Sequence, residues 1–185
     1  MTNGKLFEAR LTDESISALR LALGIPIFQV LSSALTVEGK FISSGNFSLH
    51  LDIQKYLILE SVWLETPVEM IDYWQFSITF SETPKEVKLA PLENGGYVID
   101  YPASTVIFQR PASPIVEISV HEASWSDDSC KESVIFDYAV VFYREDGKRF
   151  SFNVDDSFAN QLYCTENESD IDSIVENHKC RLVIS

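Results

Sequence analysis

From Val134 to Tyr143 every residue except Asp137 is apolar or aromatic, a turn follows at Glu145, Asp146, Gly147 and Lys148, and Arg149 to Val154 alternates polar and apolar. This stretch constrains the fold more than any other. A strand sends successive side chains to opposite faces. Phe136, Tyr138, Val140 and Phe142 therefore share one face, and Ile135, Ala139, Val141 and Tyr143 share the other. A strand apolar on both faces belongs in the middle of a sheet that is covered on both sides. The turn sequence makes it the first arm of a hairpin.

Period-two alternation recurs in Phe47–Ile53, Trp74–Phe80 and Val116–His121, the pattern of half-buried antiparallel strands. Tyr56 to Glu65 suits a buried helix by composition, but its neighbours favour a strand. Glu38-Gly39, Ser44-Gly45-Asn46, Asn94-Gly95-Gly96 and Asp146-Gly147 fall between apolar runs and predict further hairpins. Pro91, Pro102, Pro111 and Pro114 restrict the middle of the chain to edge strands and loops.

Two segments read as helices. Thr12 or Asp13 caps the first, Ile16, Leu19 and Leu23 line one face, and Gly24 stops it. In the second, Ile171, Ile174, Val175 and His178 recur at helical spacing, and Arg181 to Ile184 closes the chain as a strand. The whole predicts an α+β fold over residues 1–185 as a single domain. It is predominantly antiparallel β, sandwich or barrel-like, with about eight to ten strands, an N-terminal helix, and a short C-terminal helix followed by a last strand.

Charge narrows the functional classes. Lys and Arg number 14 against 28 Asp and Glu, a formal net charge of -14. Such a surface repels phosphate backbones and anionic lipid, so neither nucleic acid nor membrane is an expected partner. Leu21 to Val37 is uncharged but is broken by Gly24, Pro26 and Gln29, which argues against a spanning helix. No secretory signal is legible, and a cytoplasmic location is expected. The three cysteines, Cys130, Cys164 and Cys180, are widely spaced and read as buried, reduced thiols.

Catalytic signatures are sparse. There is no Gly-x-Ser-x-Gly elbow, no phosphate-cradling glycine loop and no His-Glu-x-x-His, and no cofactor is called for. His50 and His121 sit on the polar faces of their strands, beside Asp52 and Glu117. Were the strands adjacent, they could form an acid–base site, although solvated polar-face residues are the simpler reading. His178 is expected at a helix C-terminus, where a positive charge suits the dipole. Trp63, Trp74, Tyr73 and Trp125 could line a ligand pocket, but strand aromatics more often fill a core. Asn46 and Asn167 begin Asn-x-Ser triplets that matter only in a secreted protein.

The clearest asymmetry is the run Asp155, Asp156, Glu166, Glu168, Asp170, Asp172 and Glu176, which contains no Lys or Arg. It lacks the order of a calcium-binding loop, and metal held by Asp170 and Asp172 has little support. Its functional reading is a docking surface for a basic protein partner. The sequence thus leans towards a non-enzymatic interaction domain, one concrete form being an inhibitor or immunity protein of a nuclease toxin. The alternatives are a sandwich or barrel that binds an apolar small molecule, and an enzyme using His50 or His121 with a nearby carboxylate.

Overall fold

The computed structural model describes residues 4–27, 29–38, 41–95, 97–100, 104–107, 113–126, 131–154 and 160–185. The chain opens with β1 (Lys5–Ala9), α1 (Asp13–Arg20), β2 (Gln29–Ser32), β3 (Thr36–Glu38), β4 (Phe41–Ser44) and β5 (Asn46–Asp52). It continues through β6 (Lys55–Glu65), β7 (Asp72–Ser81), β8 (Lys88–Pro91), β9 (Tyr97–Asp100) and β10 (Ser104–Ile107). The last part comprises β11 (Ile115–Trp125), β12 (Glu132–Arg144), β13 (Arg149–Val154), β14 (Leu162–Thr165), α2 (Glu168–Asn177) and β15 (Lys179–Ile184).

The fold is mostly antiparallel β with two helices, as the alternation and caps predict. Fifteen strands are described, more than the expected eight to ten, because edge pieces of three or four residues are too short to leave a periodic signal. One sheet runs β15-β11-β12-β13-β14-β4-β3, with β1 joined parallel to β12. A second runs β10-β2-β5-β6-β7, and β8 with β9 forms a separate hairpin. The predicted hairpin over 134–154 is β12 and β13, and Gly147 takes the positive φ of its turn. The Gly45 segment makes no hairpin: β4 lies in the larger sheet and β5 in the smaller, so the chain changes sheets there.

The two sheets pack face to face. Phe47, Leu57, Leu59, Phe76 and Ile78 of the smaller meet Val134, Phe136, Val140, Phe142, Phe150 and Phe152 of the larger in one core. Burying each phenylalanine contributes about 1.5–3 kcal/mol. The other face of β12 is apolar too, and α2 covers it, with Ile171 and Ile174 against Ala139 and Val141. The central-strand reading thus holds on both sides.

Helix α1 is shorter than predicted. The Thr12 hydroxyl accepts the Ser15 N–H at 3.2 Å, a cap worth about 1 kcal/mol. The helix ends at Arg20 rather than running to Gly24. The chain leaves it because Leu23 bridges to Ile115 and the Gly24 N–H bonds the Ile115 carbonyl at 2.8 Å. Among the described residues, no helix is long and apolar enough to cross a membrane.

Candidate functional site

Strand β12 changes its edge partner at its midpoint. On one edge β1 ends opposite Phe136 and β13 begins opposite Ala139, which leaves a gap between them; on the other, Asp137 pairs with Glu122 and the register with β11 shifts before Ala139. Asp137 and Tyr138 occupy this gap. Asp137 is fully buried, and its oxygens accept Arg181 Nε and Nη2 at 2.7 Å each, the Leu11 N–H at 2.7 Å and Arg10 Nη1 at 3.3 Å. Arg10 also pairs with Glu122 at 2.7 Å, and Lys179 reaches the same carboxylate at 3.0 Å. Burial raises the Glu122 pKa, but the hydrogen bonds and charges of Lys179 and Arg10 outweigh it and hold the carboxyl below its ordinary value.

Beside this cluster, His121 is 1% exposed rather than solvated. Its Nδ1 lies 3.1 Å from the His178 carbonyl, which can only accept, so Nδ1 carries a proton. Nε2 lies 2.9 Å from Ser119 Oγ, itself 3.3 Å from the Tyr143 hydroxyl. Ser119 is buried as well, so the pair is closed to solvent. Both ring nitrogens of His121 thus face groups other than Glu117. His50 is on β5 of the other sheet, stacked on Tyr56 at 5.1 Å. The two histidines therefore belong to different sheets and do not form the shared site that adjacent strands would have given.

The acidic segment is divided. Asp155 and Asp156 lie outside the described residues. Glu168 and Asp172, at 48% and 56% side-chain exposure, both bind Arg149, Nε to Glu168 Oε2 at 2.7 Å and Nη2 to Asp172 Oδ1 at 2.7 Å. Glu166 and Glu176 are exposed and Asp170 is half-buried. The cation missing from the segment is supplied by β13, which the local sequence could not reveal. Asn167 caps α2 by accepting the Ser169 N–H at 3.1 Å. Among the described residues no three His, Cys, Asp or Glu side chains are grouped to hold a metal ion.

His178 stands at the C-terminal end of α2 as expected, but its charge departs from expectation. His178 stacks on Tyr138 at 4.0 Å and 7°. Burial lowers its pKa, and His121 lowers it further, against the opposing pull of the Ile174 carbonyl at 3.2 Å. The neutral ring is favoured, not the cation that the helix dipole would attract. The expectation of core-filling tryptophans holds only for Trp74. Trp63 is 39% and Trp125 46% exposed, because both stand at the ends of their strands, where the sandwich opens. Cys164 is buried, where desolvation pushes its thiol pKa up, whereas Cys180 is exposed; Cys130 lies outside the described residues.

Comparison with protein-family models, with curated proteins and with solved structures finds no match to this chain.

Proposed function

We propose that this chain is a non-enzymatic interaction domain that binds a basic protein through its outward carboxylates. One observation carries the reading: four ion-paired arginines are turned inward, whereas carboxylates on and beside α2 are turned outward. Arg10, Arg144, Arg149 and Arg181 are each ion-paired and no more than a quarter exposed, whereas Glu166, Glu168, Asp172 and Glu176 border or lie on the outer side of α2. A partner approaching α2 meets negative charge and no cation on the helix. Such a field steers a basic surface and raises its association rate. A nuclease toxin with a basic nucleic-acid cleft is one partner of this kind, which would make the chain its inhibitor or immunity protein, acting in the cytoplasm.

The test uses the chain as bait in native lysate at low and at high salt. A partner held at low salt and released at high salt supports the reading. Replacing Glu166 and Glu176 by Lys should then slow that partner's association with less effect on its dissociation. No partner at low salt, or one that salt leaves bound, overturns it.

A further inference from the structure

At one end of the sandwich, between β7 and the paired β11 and β12, lies a cleft of about 500 Å³. That volume is in the range of small-molecule sites. Trp74, Trp125, Phe136, Tyr138 and His178 line it, and its one charged wall residue is Asp72. Among the described lining residues there is no lysine or arginine. A concave, aromatic, carboxylate-bearing surface is what an organic ammonium requires: ring faces attract the cation through their quadrupoles, and the carboxylate supplies the counter-charge.

The walls are fixed in advance. Trp74 and Phe136 pack at 5.6 Å across the two sheets, and Tyr138 and His178 form a stacked pair. The loop that leads into Asp72 is clasped to the start of β12. The Glu132 carboxylate accepts the Val68 and Glu69 N–H groups at 3.1 and 2.9 Å, and the Glu69 carboxylate accepts those of Lys131 and Glu132 at 2.9 and 3.0 Å. His178, held neutral by its burial, adds no competing positive charge. Trp74 also carries an unmet polar group. The Trp74 indole nitrogen is buried and has no hydrogen-bond partner among the described residues. An unmade buried hydrogen bond costs about 1–3 kcal/mol.

We propose that this cleft binds an organic cation, an ammonium compound that carries an aromatic or aliphatic body. The site is independent of any protein partner at α2, so either can fail alone.

All three tryptophans report on this end of the molecule. Trp74 and Trp125 line the cleft, and Trp63 pairs with Trp74 across β6 and β7 and donates to Asp72 Oδ1 at 2.9 Å. The experiment titrates the full chain with benzoylcholine, following tryptophan fluorescence and, in parallel, heat of binding. The uncharged isostere, 3,3-dimethylbutyl benzoate, is the control. Benzoylcholine should bind saturably and at least about fivefold more tightly than the isostere. Asp72→Asn, which keeps the acceptor for Trp63, should weaken benzoylcholine by a similar factor and leave the isostere unchanged. Absence of saturable binding overturns the site. Equal affinity for the two probes, or no effect of Asp72→Asn, overturns its selectivity for a cation.

Discussion

Arg181 and Arg149 each hold carboxylate on the outer side of the larger sheet, one out of solvent and the other at its edge. Arg181 grips a carboxylate that no water reaches, in the gap of β12, where Arg10 and the Leu11 N–H share the same oxygens. Arg149 grips Glu168 and Asp172, both about half exposed. The chemistry is nearly the same, but the energetics are not. A buried carboxylate stripped of water depends on every one of its partners, whereas an exposed pair trades protein contacts for water at little net change. The first cluster therefore organises the fold, and the second contributes to the surface charge on which the proposed docking rests.

The largest test of this contrast is Asp137→Ala. It leaves Arg181 with no carboxylate in its described contacts and the Leu11 N–H without its acceptor, and should cost about 3–5 kcal/mol. The measurement is a urea transition whose midpoint falls while its slope is kept. A loss below 1 kcal/mol would put the buried cluster on the same footing as the exposed one.

A smaller effect is expected from pH. The folded protein disfavours protonated His178, so between its lowered pKa and the ordinary value of 6.5 the unfolded chain binds more protons. Stability is then complete above that ordinary value and declines as pH falls through the window. His178→Gln should flatten the decline; an unchanged slope would assign it to other groups. Glu122 acts in the same direction at lower pH: its depressed folded pKa gives stability that is lost as pH falls below 4.5 towards the folded value.

The smallest effect belongs to the exposed cluster. Arg149→Gln should change stability by only about 0.5–1 kcal/mol. It also frees Glu168 and Asp172, so capture of a basic partner at low salt should increase. A loss of several kcal/mol would mean that Arg149 is structural in the way Arg181 is.

The hairpin β12–β13 was legible because its apolar faces and Gly147 turn are local features, and both helices were legible through Thr12 and the spacing of Ile171 and Ile174. The partners of charged groups were not. Arg149 reaches Glu168 across 19 residues and Arg181 reaches Asp137 across 44, and no local pattern encodes such pairings. His121 looked solvated because its strand alternates, yet its ring is buried against Ser119 and the backbone carbonyl of His178 at the end of α2. Strand β1 escaped notice because it is five residues long and its one sheet partner is remote in sequence. The cleft was visible only as a set of aromatics. That Trp74, Trp125 and Asp72 converge depends on how the two sheets are laid together.

The parallel pairing of β1 with β12 has a consequence for synthesis. Lys5 must wait for Glu132, and Leu11 for Asp137, an interval of more than 120 residues. At roughly 5–20 residues per second a ribosome takes on the order of ten seconds to cover it. Throughout that time Leu6 and Phe7 have no sheet to join. Early chaperone contact should therefore concentrate on this leading segment, and its release should coincide with the emergence of β12.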